Sequence, residues 1–201
     1  MPPRGIPAHM AAILVLYAHP DPPASRINRA MVAAIDGLQG VTVHDLYAAY
    51  PDFFVDVGRE KALLLDADIV VLQHPMNWYS APALMKEWID RVLERGWAFG
   101  KGGTALQGKH MLSAISTGGP PQAYEPEGYN RYSVAEFLRP FERTAVLCGM
   151  NWLPPFVFQG AFRTDDGKIR DHAEEYRKHL IALRDTGLVA VRDGGSGPEE
   201  T

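Results

Sequence analysis

The chain has 201 residues, 46% of them hydrophobic and 22% charged, and its formal net charge is -4. This composition is typical of one globular domain of ordinary size. The mild acidity and the lack of a Lys/Arg-rich block argue against a nucleic-acid partner. The single cysteine, Cys148, excludes an internal disulfide and favours a reducing compartment. The longest apolar runs fall far short of the ~20 residues that a membrane span needs.

Both ends of the chain differ in composition from the middle. Residues 1–11 lack the apolar stretch of a secretory signal. Residues 187–201 are rich in glycine and acidic side chains. We therefore expect two disordered tails around one domain at residues 12–186, and a cytoplasmic location.

The first half of that domain alternates between apolar strands and amphipathic helices. Continuous apolar runs are typical of strands covered on both faces, and they predict strands at residues 12–18, 41–46 and 68–73. A helical pattern begins at Ser25 and ends at Gly40, which we expect to terminate the helix in a left-handed conformation. A shorter helix is predicted at residues 59–67.

The middle of the chain continues the alternation. An apolar stripe at helical spacing predicts a helix that buries Leu84, Met85, Trp88, Ile89, Val92 and Leu93. A fourth strand is predicted at residues 109–116. Residues 133–148 are mostly helical in pattern, and Pro140 must begin or kink a segment there. Cys148 lies at the end of this apolar helix, so we expect a buried, inert thiol.

The last strand and the last helix complete the domain. The fifth strand, at residues 152–158, contains two prolines, which cannot donate to a ladder and therefore favour a sheet edge. The last helix is expected to start at Asp171, with Glu174 at the spacing of a capping box. We interpret His172 and His179 as solvated residues of that helix. The seven histidines show no metal-ligand spacing, so no metal site is expected.

Five strands alternating with helices predict an α/β fold with a doubly wound, five-stranded parallel sheet and helices on both faces. The common strand order for such a sheet is 2-1-3-4-5. Ligands bind beyond the carboxyl ends of its strands, at the switch point between strands one and three. We therefore expect the chemistry in the loops after strands one, three and four.

The first of these loops runs from His19 to Asn28 and ends at the start of a helix. Free backbone N–H groups and the helix dipole make such an end a natural anion site. Ser25 and Asn28 add neutral donors, Arg26 a cationic donor and His19 a ring N–H, a set that suits a phosphate monoester. The alternative is that Ser25 only caps the helix.

The second loop runs from Pro75 through Met76 and Asn77 to Trp78 and Tyr79. Pro75 rigidifies this loop, and the two aromatic rings offer stacking faces to a planar heteroaromatic ligand. The alternative is that Trp78 and Tyr79 cover the sheet edge or make a subunit contact.

The third loop begins with Ser116, Thr117, Gly118 and Gly119. Paired glycines allow a ligand to approach the backbone closely and expose N–H groups, although the pair also fits a plain turn. Together the three loops predict a site for flavin mononucleotide (FMN), with the phosphate at the helix start and the ring between the other two loops.

Several long stretches carry a family resemblance over roughly residues 13–184. They are YAHPDPPASRIN, QHPMNWYSAPALMKEWIDRVL, GWAFGKGGTALQGK, STGG and CGMNWLPPF. These stretches resemble the flavodoxin-like NAD(P)H:quinone oxidoreductases. Within that family they are most similar to the ancillary proteins of the glutathione-regulated potassium-efflux systems.

The resemblance implies a flavodoxin-like fold, a homodimer, and two-electron ping-pong reduction of a quinone by NAD(P)H through bound flavin. The short C-terminal part favours FMN over FAD. The residues that match the family's flavin contacts are His19, Ser25, Arg26, Ile27, Asn28, Met76, Asn77, Trp78, Tyr79, Ser116, Thr117, Gly118 and Gly119.

Two further residues match the catalytic positions of animal members, with one departure. Tyr124 corresponds to a tyrosine near the N1–O2 edge of the flavin. Asn130 stands where those members have a histidine, and asparagine donates a hydrogen bond but cannot take up a proton. Relief of charge on the reduced flavin would then rest on backbone N–H groups, Tyr124 or solvent. The polar, Tyr-rich segment at residues 120–133 is expected to be a lid.

The expected function is that of an FMN-dependent NAD(P)H:quinone oxidoreductase. The alternative is a regulatory flavoprotein subunit of a glutathione-gated potassium-efflux transporter, bound at the cytosolic face of the inner membrane. The two roles can coexist. A one-electron flavodoxin carrier is a third option, which the aromatic second loop and the expected lid disfavour.

Overall fold

A computed structural model describes residues 10–186 of the chain as a parallel sheet between two layers of helices. Its strands are β1 (Ile13–Tyr17), β2 (Val41–Asp45), β3 (Ile69–Pro75), β4 (His110–Thr117), β5 (Asn151–Trp152) and β6 (Phe156–Gln159). All pairings are parallel, in the order β2-β1-β3-β4-β5, and β6 also pairs with β4. The predicted fold class and strand order are therefore confirmed.

Residues 10–186 also form seven α-helices. They are α1 (Arg26–Ile35), α2 (Leu46–Ala49), α3 (Val57–Asp66), α4 (Ala83–Val92), α5 (Val134–Phe137), α6 (Arg139–Leu147) and α7 (Asp166–Asp185), with 3₁₀ turns at Pro121–Tyr124 and Ala161–Arg163. Pro140 lies in the first turn of α6 and so begins a segment, as predicted. Within the described residues, no helix is both long and apolar enough to cross a membrane.

The predicted tails lie outside the described residues, apart from Met10 and Ala11. Ala11 is fully buried, and its N–H donates to the carbonyl of Arg184 (2.9 Å). The packed part of the chain therefore includes Ala11, one residue before the expected start of the domain.

Alternation along the buried central strands divides the core between the two faces of the sheet. Ile69 and Val71 of β3 face a cluster that includes residues of α1 and α7. Val70 and Leu72 face a second cluster, which includes residues of α3, α4 and α6. β3 and β4 are buried along almost their whole length. Successive strand residues point to opposite faces, so a strand covered on both sides is mostly apolar.

The predicted fifth strand is two short strands in the structure. β5 pairs with the beginning of β4, and β6 pairs with its end. Pro154 and Pro155 lie between them and have no N–H to continue the ladder. The two segments together occupy the fifth position, next to β4.

The expected ends of the first helix and the start of the last are wrong. α1 ends at Ile35, and the Gly40 carbonyl instead accepts a hydrogen bond from the N–H of Ile13 (2.8 Å) where the chain enters β2. α7 begins one and a half turns before Asp171. Its N-cap is Asp165, whose carboxylate accepts a hydrogen bond from the N–H of Lys168 (2.9 Å). Asp171 and Glu174, the predicted capping pair, therefore lie inside the helix.

The predicted burial of Cys148 is confirmed, whereas the predicted exposure of His172 and His179 is wrong. Cys148 is buried as expected, and burial raises the pKa of its thiol to about 11. His172 and His179 are not solvated: their ring centroids lie 4.5 and 5.3 Å from that of Phe156, and both are half-buried. Burial lowers the pKa of both imidazoles, so they are held neutral.

A buried carboxylate ties the α3–α4 face together. Glu60 accepts hydrogen bonds from the Tyr50 hydroxyl (2.5 Å) and from Trp88 Nε1 (2.7 Å), and it pairs with His44 Nε2 at 2.8 Å. Burial raises the pKa of the Glu60 carboxyl, but these bonds outweigh that effect and hold the pKa below its usual value. The carboxylate is therefore charged at neutral pH, and both of its oxygens have hydrogen-bond partners.

Removing the charge of Glu60 should destabilise the domain far more than removing an exposed charge. We expect E60Q to lower the free energy of unfolding by about 3 kcal/mol, because an amide cannot accept from three donors at once. E94Q breaks only the exposed ion pair with Lys61 and should cost less than ~0.5 kcal/mol. Urea unfolding of the two variants tests this, and equal losses would contradict it.

Candidate active site

The loops after β1, β3 and β4 meet at one edge of the sheet, as the strand order requires. They cover residues 18–25, 76–82 and 118–133. β3 lies between β1 and β4, and the ladder extends past the strand ends, where the N–H of Met76 donates to the carbonyl of Ser116 (2.8 Å). The second and third loops therefore leave the sheet side by side.

The start of α1 has no side-chain cap. Ser25 occupies the N-cap position, but its buried hydroxyl bonds to the hydroxyl of Tyr17 (2.9 Å) instead of to the helix backbone. The alternative that Ser25 only caps this helix is therefore wrong. The first-turn N–H groups, including those of Ile27 and Asn28, have no intrahelical acceptor. No acidic residue lies in this turn to repel an anion.

Two buried amides attach the start of α1 to the sheet. Gln73 Nε2 donates to the carbonyl of Asn28 (2.9 Å), and Asn28 Nδ2 donates to the hydroxyl of Ser116 (2.8 Å). The hydroxyl of Tyr176, in α7, donates to Gln73 Oε1 (3.0 Å). Gln73 was not among the predicted residues. The available signal was a polar side chain inside an otherwise apolar strand.

The second loop is a tight turn with two bulky residues in left-handed conformations. Asn77 and Ser80 exchange both backbone hydrogen bonds (3.1 and 3.0 Å), while φ is 49° at Trp78 and 63° at Tyr79. Such a turn normally takes Asn and Gly, and a bulky side chain there costs about 1–3 kcal/mol. Backbone strain of this kind concentrates at functional sites. Trp78 is 94% exposed, so core packing does not explain it.

Tyr79 and Tyr124 are brought together by Phe137, which was not predicted. Tyr79 stacks on Phe137 with ring centroids 5.0 Å apart, and Tyr124 meets the edge of Phe137 at 6.1 Å. Trp78 does not join this cluster. Asn130 lies close by in the chain fold, since its N–H donates to the carbonyl of Ala123 (3.0 Å), next to Tyr124. The aromatic cluster therefore links the second loop to the third.

The two glycines of the third loop are crowded by the chain itself. A Cβ on Gly118 would lie 2.2 Å from the Phe162 ring. A Cβ on Gly119 would lie 2.6 Å from the Tyr129 hydroxyl and 3.2 Å from the Tyr124 ring. A side chain at either position would therefore have to displace the exposed Phe162 or Tyr129 side chain. Close approach of a ligand to this backbone stays a prediction, as does the lid.

A fourth segment, at residues 160–166, also reaches this edge and was missed. The N–H of Gly160 donates to the carbonyl of Gly119 (2.8 Å), and Arg26 Nη2 forms an ion pair with Asp166 (2.7 Å). Between them Phe162 is 87% exposed although its ring lies over Gly118. Sequence reasoning followed only the loops nearest the switch point, whereas this segment follows the edge strand.

His19 is a neutral donor at the first loop. Its Nδ1 accepts the N–H of Asp21 (3.1 Å), so the neutral ring carries its proton on Nε2. Burial lowers the pKa of this imidazole. Across residues 10–186 there is no group of three or more His, Cys, Asp or Glu side chains that could hold a metal ion.

A second histidine lies under the aromatic turn. His74 is fully buried near the end of β3, its Nδ1–H donates to the carbonyl of Pro75 (2.9 Å), and its ring lies 5.7 Å from that of Phe141. Burial lowers the pKa of His74 to about 4. The unfolded chain takes up this proton near pH 6.5, so the native state loses stability as pH falls from about 6.5 to 4.

Replacing His74 should remove that pH dependence. We expect the free energy of unfolding of the unmodified protein to fall, relative to that of H74F, by about 1.4 kcal/mol per pH unit over this range. Urea unfolding at pH 7.5, 6.0, 5.0 and 4.5 gives the difference between the two proteins. A constant difference across these pH values would contradict a buried, neutral His74.

Comparison with known proteins gives a consistent result for most of the chain. The profile of the Flavodoxin_2 family, described as flavodoxin-like fold, matches residues 11–180. The glutathione-regulated potassium-efflux system ancillary protein KefG of Cronobacter sakazakii is 48% identical over 170 residues, 85% of this chain and 92% of that protein.

Two similar solved structures are described as an FMN complex and a quinone reductase. General stress protein 14 of Treponema denticola, in complex with FMN, is 38% identical with a TM-score of 0.80, covering 85% of this chain and 98% of that one. An NADPH-quinone reductase from P. pentosaceus is 30% identical with a TM-score of 0.76, covering 84% and 96% respectively.

Proposed function

This chain belongs to the Flavodoxin_2 family of the flavodoxin-like fold, and we propose on that premise that it is an FMN-dependent NAD(P)H:quinone oxidoreductase. One observation carries the proposal: an uncapped helix start, a strained aromatic turn and a pair of glycines lie at the same edge of the sheet. The FMN complex and the quinone reductase among its relatives in structure support an oxidoreductase that uses flavin.

The start of α1 fits the phosphate of FMN. The first-turn N–H groups of Ile27 and Asn28 have no cap, and a helix N-terminus favours a dianion. The His19 Nε2–H is a further donor in reach of the same loop. Arg26 is held beside this turn by Asp166 and adds positive potential that the ion pair partly offsets.

The second and third loops fit a flat ring. Trp78, exposed on its turn, and Tyr79, fixed by Phe137, provide stacking surface. Gly118 and Gly119 provide backbone N–H groups for the ring edge that gains negative charge on reduction. Tyr124 provides a hydroxyl at the same wall. Asn130 adds a donor, but it cannot act as a proton acceptor in the way a histidine does.

The net reaction is the reduction of a quinone to a hydroquinone by NAD(P)H and a proton. When bound, the flavin supplies the two-electron chemistry, and the protein positions the ring and tunes its charge. The aromatic cluster around Phe137 would stack the nicotinamide and the quinone in turn, and the 120–133 segment would exclude water from them. A homodimer is part of the proposal, with exposed aromatic side chains such as Tyr132 available for a subunit contact.

Redox cycling tests this function. The purified protein, supplied with FMN under anaerobic conditions, should lose its yellow absorbance on addition of NADPH or NADH and regain it on addition of a quinone. Protein that binds FMN but is not reduced by either nicotinamide would contradict the enzymatic role. The measurement is stopped-flow absorbance with each nicotinamide in separate runs.

Substitution of Gly118 tests whether this glycine contacts the ligand or only accommodates neighbouring side chains. We expect G118A to weaken FMN binding about tenfold, because the added methyl intrudes on the face proposed for the ring. Phe162 alone also crowds this position, so the double variant G118A/F162A is compared with F162A. Fluorescence titration should show that G118A/F162A binds FMN about tenfold more weakly than F162A does. Full recovery in the double variant would mean that Gly118 serves only to seat Phe162.

A second function is favoured by the name of a close relative. The Cronobacter sakazakii protein is called an ancillary protein of a potassium-efflux system, and its 48% identity to this chain extends over 92% of its length. We therefore propose, as a role that can coexist with the first, binding to such a transporter at the cytosolic face of the membrane. Co-purification with a transporter in the absence of quinone turnover would favour this regulatory role alone.

A further inference from the structure

A cleft beside Tyr124 lies between the third loop, α5 and β6. Its volume is about 300 Å³. Its lining includes Pro121, Tyr124, Val134, Ala135, Val157 and Gln159. The 3₁₀ turn Pro121–Tyr124 forms one wall, the start of α5 a second, and the edge strand β6 a third.

The lining of this cleft selects for an uncharged, apolar occupant. None of the side chains that line it is charged, and most are aliphatic or proline. Ser133, which also borders it, is already used by its capping box with Glu136. The Gln159 amide is the remaining polar side chain besides the Tyr124 hydroxyl. Ligand sites of this kind are mostly apolar, with few polar groups.

The volume restricts the occupant further. Ligand pockets range from about 300 to 1,000 Å³, so this cleft is at the small end of the range. It is too small for a second nucleotide and suits a chain of several carbons. A hydrocarbon substituent fits both the size and the chemistry of the walls.

Tyr124 connects the cleft to the proposed reaction site. Its ring lies against Gly119, where an added Cβ would be 3.2 Å from the ring, and the same residue lines the cleft. The same ring meets Phe137, on which Tyr79 stacks. A quinone held against Gly119 and Tyr79 would therefore be a neighbour of Tyr124, which also lines the cleft.

From this arrangement we infer that the cleft between α5 and β6 is a specificity subsite that binds the hydrocarbon substituent of the quinone. The inference rests on the proposed function and adds to it the substrate class, a quinone with a long apolar side chain. Tyr124 forms the partition between the head group and the chain. Val157 of β6 and Ala135 of α5 both line the subsite.

Chain-length dependence tests this subsite in the full-length protein loaded with FMN. Steady-state turnover is measured with benzoquinones that carry a methyl, a pentyl or a decyl group. We expect KM to fall at least tenfold from methyl to decyl, since about two fully buried methylenes account for a tenfold effect. The variant A135W, at an exposed position on the rim, should fill the cleft and reduce this ratio to within about threefold of one.

A matched control and an independent readout keep the test decisive. L147W places the same side chain on an exposed position of α6 outside the cleft and should keep the full chain-length ratio. Flavin content and thermal melting report whether A135W is folded. An unchanged ratio in A135W, or an equal loss in L147W, would overturn the subsite while leaving quinone reduction intact. Failure of the unmodified protein to reduce even the methyl quinone would instead overturn the proposed function itself.

Discussion

The candidate site depends on a buried attachment between one helix and two strands. Gln73 donates to the carbonyl of Asn28, and Asn28 donates to the hydroxyl of Ser116, so the start of α1 is held against the ends of β3 and β4. All three residues are buried. Breaking either bond leaves a buried polar group without its partner, at a cost of about 1–3 kcal/mol. The helix N-terminus and the two loops therefore have a set relative position before any ligand arrives.

The strained turn at Trp78 and Tyr79 is held in place by well-packed residues around it. The turn with Trp78 and Tyr79 holds two bulky residues at positive φ. It leads into α4, whose Trp88 is bound to the charged, buried Glu60. Stacking of Tyr79 on Phe137 fixes the other end of the turn. Strain persists only where its surroundings over-determine the conformation, and these contacts provide that support while the exposed aromatic faces stay available.

Sequence reasoning reached those features that depend on local pattern and on topology. Apolar runs located the strands, and the alternation with helices predicted their order and hence which loops meet. Long-range partners were out of reach: Tyr176 bonds to Gln73 across 103 positions, and nothing in the local sequence marks that pair. The 160–166 segment was missed because it follows the edge strand rather than the switch point. His172 was misjudged because its ring packs on Phe156 of the edge strand, a long-range partner that the helix pattern does not reveal.

The central claim is that the uncapped start of α1 binds the phosphate of a flavin whose ring lies against the neighbouring loops. Parallel equilibrium titration of flavin-free protein with FMN and with riboflavin tests it most directly, because the two ligands differ only in that phosphate. The account predicts one FMN per chain, bound at least about tenfold more tightly than riboflavin, as charge-assisted bonds to backbone N–H groups require. Equal affinity for both flavins, or no binding of either, would contradict it.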